Sequence, residues 1–183
     1  MNRLKLVVMM EIALMTGLAV ILDFLTLFRM PYGGSVTLSM LPIIVISYRR
    51  GVKAGVTTGV LFGLANLMFG PYIVHWIQAL LEYPVAFAAA GLAGLFSFTR
   101  KTSVKKTFLY LSAGIAVAVG LRFIAHFVSG IVWFGEFAPE GVPVALYSFL
   151  YNLSYLGPTF ILLLLIMFLF ARSGRQLLHP EAG

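Results

Sequence analysis

Six apolar stretches, separated by short segments that collect charge, glycine and proline, run through the 183-residue chain almost from end to end. A helix needs about 20 apolar residues to cross the hydrocarbon core of a bilayer. With short connections the chain holds about six such spans and no sizeable domain outside the membrane. The stretches fall at about 4–28, 36–48, 52–69, 72–98, 107–134 and 144–171. The expected fold is a single all-α membrane domain over 1–183 with six transmembrane helices. The second stretch, Val36 to Tyr48, makes only about 20 Å of helix, against a core of about 30 Å. The preceding Pro31-Tyr32-Gly33-Gly34 segment is expected to dip into the protein and complete that span.

Composition removes the other classes. Hydrophobic residues are 61% of the chain and charged residues 10%, against about 25% charged in a soluble domain. Disorder needs low hydrophobicity and high charge, and with no cysteine there is no disulfide scaffold. The sequence carries no G-x-x-x-x-G-K-[ST], no H-E-x-x-H and no G-x-S-x-G, so neither P-loop ATP binding nor the common hydrolase motifs are expected. No repeat of three-span halves is visible. The first stretch is too long for a secretory signal and lacks a small-residue cleavage site.

The basic residues orient the spans. Arg3, Lys5, Arg49, Arg50, Lys53, Arg100, Lys101, Lys105, Lys106, Arg172 and Arg175 are eleven of the thirteen Lys and Arg, and all fall on one side if the spans alternate. Positive charge gathers on the cytoplasmic side, so both termini are expected to be cytoplasmic in a plasma-membrane protein. The net charge of +7 then reflects anchors facing anionic lipid; no nucleic-acid partner is expected.

Ionisable residues at membrane depth are costly and point to function. Here they are Glu11, Asp23, His75, Glu82, Arg122 and His126. At about 1.5 Å per residue, Glu82, His126 and Asn152 lie about 12–15 Å below the same end of three consecutive spans. His75, Gln78 and Glu82 share one helical face, as do Arg122, His126, Ser129 and Trp133. Tyr147, Tyr151 and Tyr155 repeat every four residues, and Tyr72, Trp76, Tyr83, Trp133 and Phe134 add rings near that end. A pocket with a carboxylate, an imidazole, an amide and several rings suits a flat, cationic heteroaromatic ligand. The carboxylate neutralises it, ring faces attract it, and Asn and His bond its edge.

Simpler roles compete. Trp76 fits an interfacial belt, Glu11 a structural role, Asp23 a loop-pinning role, and His75 and His179 solvated positions. Arg122 serves equally well as a counter-ion to Glu82 or Asp23 or as a ligand group. Gly33-Gly34 serves as a turn or as a flap over the pocket. Ala13 and Gly17 form a small-x-x-x-small pair that lets helices approach closely, either inside the bundle or against another subunit.

The segments Pro31-Tyr-Gly-Gly-Ser-Val-Thr-Leu-Ser-Met-Leu-Pro42, Tyr72-x-Val-His-x-x-Gln-x-Leu-Leu-Glu82-Tyr-Pro, Arg122-Phe-x-x-His-Phe-x-Ser-Gly130 and Tyr147-Ser-x-x-Tyr-Asn-x-Ser-Tyr155 resemble the thiamine-specific S components of energy-coupling factor (ECF) transporters. The resemblance covers nearly the whole chain. It implies six helices, a high-affinity vitamin site, no catalysis and no cofactor. It implies as partners a transmembrane coupling subunit and two cytoplasmic ATPases. Position by position, it implies that Glu82 faces the thiazolium cation and that Tyr83, Tyr72, His126, Gly130, Tyr147 and Asn152 line the site. Trp133 or Phe134 would supply the ring at the end of span five, and Tyr32 the aromatic of the first loop. Ala13 and Gly17 take the place of the family's small-residue docking pair. Rival readings are an S component for another vitamin or a thiamine precursor, a membrane enzyme with Glu82 and His126 as acid and base, and a proton-driven carrier.

Overall fold

The computed structural model describes residues 3–99 and 101–178. The expectations placed on Arg100 and His179 fall outside the described residues. Six principal helices are present among them: α1 (Arg3–Phe24), α2 (Met40–Arg50), α3 (Val52–Asn66), α4 (Trp76–Leu95), α5 (Val104–Trp133) and α6 (Val144–Ser173), with a short α7 (Arg175–Leu178). Four of them, α1, α4, α5 and α6, are long and apolar enough to cross a membrane. Their outward faces carry exposed Leu, Ile, Val, Met and Phe, as a surface in contact with lipid chains requires.

The helix ends depart from the apolar stretches where local chemistry intervenes. Stretch one was expected to run to Phe28, but α1 stops at Phe24, and Phe28 enters a two-residue antiparallel ribbon, β1 (Phe28–Arg29) with β2 (Ser35–Val36). Stretch three was expected to reach Phe69 but turns after Asn66. Gly70, at φ +74°, and Pro71 follow. Stretch four was expected from Tyr72, but its helix starts at Trp76, where the His75 ring accepts the Ile77 N–H at 3.2 Å.

Helix α2 has 11 residues, about 16 Å, too short to span alone. Val36, Thr37 and Ser39 precede it in extended or turning backbone and are nearly inaccessible to solvent. Irregular backbone at membrane depth survives only where protein covers it. Here Thr37 and Ser39 share a 2.7 Å hydroxyl bond, and Thr37 donates to Asp23 Oδ1 at 3.3 Å. Pro31, Tyr32 and Gly33 are exposed, so the turn expected to dip into the protein does not; the covered segment leading into α2 is instead Gly34–Ser39.

Close helix approach depends on a glycine stripe. Gly55, Gly59 and Gly63 recur every four residues on α3 and face α4. A Cβ at Gly55 would meet Gly91 Cα at 2.9 Å, one at Gly59 would overlap the Phe87 carbonyl, and one at Gly63 would strike Pro84. Small residues at helix contacts let backbones touch in lipid. The stripe therefore fixes the height and rotation of α4, which carries Glu82.

Helix α1 is attached differently. Ala19 is its one buried residue. Met15 and Val20 pack half-buried against the core, and polar ties fix the two ends. Near one end Glu11 receives two guanidinium forks, from Arg49 at 3.1 and 3.0 Å and from Arg50 at 2.6 and 2.8 Å. Arg49 also donates to the Leu177 carbonyl at 3.0 Å, which brings α7 to the same end. At the other end Asp23 accepts from Asn66 at 2.9 Å and from Thr37. Ala13 and Gly17 point out of the bundle, and a Cβ on Gly17 would meet nothing within 4 Å. The internal-packing reading of that pair is excluded.

These two environments predict opposite outcomes for the same change. Gly59→Ala should lower the unfolding midpoint in detergent, with an overpacking penalty of about 1–3 kcal/mol. Gly17→Ala should leave the midpoint within error. Thermal unfolding of both variants checks this, and equal midpoints would remove the stripe's assigned role.

Candidate functional site

Between α4, α5, α6 and the ribbon lies a cavity of about 270 Å³, at the end opposite the Glu11–Arg49–Arg50 cluster. It is near the small end of ligand sites, which run roughly 300–1,000 Å³. The π-turn of α4 shapes its floor. Pro84 has no N–H and disturbs the normal ladder; over Leu81–Val85 the turn widens, and the Ala86 N–H reaches back five residues to Leu81. Such widened turns recur at functional positions. Here the neighbouring residues Glu82 and Tyr83 both line the cavity.

The Glu82 side chain is only 12% exposed. Its Oε1 accepts from Ser129 at 2.6 Å and its Oε2 from Gln78 at 2.5 Å. Gln78 is fully buried and is itself fixed, donating to the Tyr72 carbonyl and accepting the Val74 N–H, each at 3.2 Å. A carboxylate held on both oxygens stays in one orientation. His126 Nδ1 stands 4.0 Å from Oε1, and Arg122 Nε donates to His126 Nε2 at 3.3 Å. Arg122 also lies over the Phe87 ring, 4.2 Å from its centre. No Arg122–Glu82 ion pair occurs among the described residues.

Asn152 forms the α6 side of the wall. Its amide donates to the Ser148 carbonyl at 2.8 Å, and its carbonyl accepts the Tyr155 hydroxyl at 2.6 Å. Gly130 faces it from α5; a Cβ there would overlap the Ser148 hydroxyl. Rings line the mouth. Tyr32 stacks on Phe137 with centres 4.1 Å apart, Tyr72 meets Tyr32 at 6.5 Å and Phe134 at 6.0 Å, and Tyr147 meets Tyr151 at 6.0 Å.

Of the residues singled out in the sequence, Glu82, Tyr83, His126, Gly130, Asn152, Tyr147, Tyr72, Phe134 and Tyr32 line this cavity. Trp133 does not: its ring stacks on His75, with centres 5.6 Å apart. Helix α5 ends at Trp133, so Phe134 leaves the helical path and its ring turns to Tyr72 and Phe137. Asp23, Asn66, Phe87, Phe137, Tyr151 and Tyr155 also line the cavity without having been assigned to it. Tyr151 and Tyr155 carried a signal in their four-residue spacing; Asp23 and Asn66 meet across 43 positions, and spacing cannot reveal that.

Tyr32 is the one described non-glycine residue at positive φ (63°), a conformation that costs an ordinary side chain about 1–2 kcal/mol. The Tyr151 hydroxyl holds the turn around it, donating to the Pro31 carbonyl and accepting the Gly34 N–H at 3.0 Å. Tyr151→Phe removes both bonds. Trypsin should then cut after Arg29 faster than in the parent protein; equal rates would mean that the hydroxyl does not hold the turn.

Fold and site together define a helical membrane protein built around a partly open cavity lined by polar and aromatic side chains. The family described as Thiamine transporter protein (Thia_YuaJ) matches residues 9–179. The chain is 48% identical over 190 residues to Thiamine transporter ThiT of Bacillus subtilis (strain 168), covering 99% of both chains. It is 29% identical over 157 residues to Thiamine transporter ThiT of Lacticaseibacillus paracasei, covering 81% of this chain and 78% of that one. A solved structure of ThiT from Listeria monocytogenes superposes with a TM-score of 0.86 at 26% identity, covering 96% of this chain and 99% of that one. This chain belongs to the thiamine transporter protein family, a family of transporters rather than enzymes.

Proposed function

We propose that the chain is the thiamine-binding subunit of an ATP-driven ECF uptake system in the plasma membrane. The observation that carries this reading is Glu82, a carboxylate oriented by Gln78 and Ser129 inside an aromatic-walled cavity. A fixed anion at membrane depth calls for a cation, and thiamine brings a permanently charged thiazolium on a flat frame. Tyr83, Tyr72 and Phe134 supply ring faces to it, His126 and Asn152 bond its pyrimidine edge, and Tyr32 with Tyr147 covers the entrance.

The end bearing Arg49, Arg50 and Lys53 is then cytoplasmic, and the cavity mouth opens outward. The chain has no ATP-binding motif, so the driving energy comes from two ATPase subunits through a membrane coupling subunit. The outward-facing Ala13–Gly17 stretch of α1 is the surface on which that coupling subunit docks, since its small residues permit close approach.

Glu82→Gln keeps shape and removes charge. A buried cation left without its partner costs about 3–5 kcal/mol, so thiamine affinity should fall at least about a hundredfold. A neutral analogue without the thiazolium charge should lose far less on the same substitution. Titration calorimetry of both ligands against both proteins decides the matter; equal losses would show that Glu82 does not read the charge and would favour a neutral vitamin. For docking, Gly17→Leu should leave thiamine binding intact and abolish ATP-driven uptake. Normal uptake at normal expression would remove the docking role.

A further inference from the structure

Arg122 is the unresolved member of the cavity. It is about nine-tenths buried, and it makes no ion pair among the described residues. Its one hydrogen bond to a side chain runs from Nε to His126 Nε2, four residues on along α5. A guanidinium can donate but never accept, and it keeps its proton in proteins. The nitrogen it faces must therefore present a lone pair. We propose that Arg122 is a positioning residue that locks His126 as the neutral tautomer with its proton on Nδ1.

The consequence appears on the other side of the ring. Nδ1 lies 4.0 Å from Glu82 Oε1, too far for a direct bond, and both residues line the cavity. His126 thus offers the ligand a donor at Nδ1. A ligand edge with an acceptor there fits it, and an edge with a donor there does not. The charged and titratable groups facing the imidazole are Arg122 on its own helix, Glu82 from α4 and the Tyr155 ring from α6, whose centre is 6.1 Å away. Of these, Arg122 contacts Nε2 within hydrogen-bond reach, and its donor persists at every pH. Its guanidinium is held in place by the Phe87 ring beneath it. The lock therefore needs no ligand to be present.

The inference about ligand edges rests on the proposed function; the tautomer itself does not. The direct test is the nitrogen spectrum of detergent-solubilised protein carrying ¹⁵N-labelled histidine, with His126 assigned by comparison with His126→Gln. The ligand-free parent protein should show a neutral ring protonated at Nδ1 at about pH 7. The Nε2–H form or an imidazolium would overturn the proposal without any variant. In Arg122→Met the ring should lose the fixed tautomer, and Arg122→Lys should restore the neutral Nδ1–H form. An Arg122→Met spectrum identical to the parent's would also overturn it. Thiamine affinity of Arg122→Met should fall about tenfold at pH 7. If thiamine fails to bind the parent, the proposed function falls while the ligand-free spectra still decide the tautomer.

Discussion

An ionisable side chain at membrane depth is costly unless its polar atoms are bonded, and the arrangement around Glu82 follows from that constraint. Its two oxygens are bonded by Gln78 from its own helix and by Ser129 from the next. Gln78 in turn is bonded to the backbone just before α4 begins. The α4 start, the widened turn at Pro84 and the rotation of α5 are thereby tied to one side chain. Moving any one of them would leave a buried polar group unbonded, which is expensive in a low-dielectric interior.

The second determinant is the absence of side chains. Three glycines on α3 let α4 approach until backbones touch, and this contact sets where the carboxylate sits relative to α5 and α6. The cavity is thus framed on one side by close packing and on the other by hydrogen bonds. Its mouth is lined mainly by rings from three loops, Tyr32, Tyr72, Phe134 and Phe137.

The helices were legible because apolar length is a strong signal; their ends were less so. Strand pairing at Phe28 and the ring cap of His75 are local choices that hydropathy does not encode. Glu82, His126 and Asn152 were legible as a group because helix rise converts sequence position into depth. Trp133 and Phe134 stood as alternatives in the sequence because the last helical position determines which ring turns inward. The Gly55-Gly59-Gly63 spacing stands in plain view, but small-residue spacing is common in apolar helices and does not name its partner. Nor could spacing decide whether Ala13 and Gly17 face in or out.

The two polar ties of α1 act as a ruler. Glu11 and Asp23 are twelve residues apart, about 18 Å along the axis, and each meets partners near a different end of α2 and α3. A slip of one helical turn would break both ties together, so they fix the register of a helix whose packed face is mostly only half-buried. During biosynthesis α1 emerges before any of these partners exists. It must wait in lipid with two carboxylates unmatched until the α2–α3 hairpin arrives. Seating of α1 is then coupled to both ends of the α2–α3 hairpin, and a chain truncated before Arg49 would lack the ionic tie at Glu11.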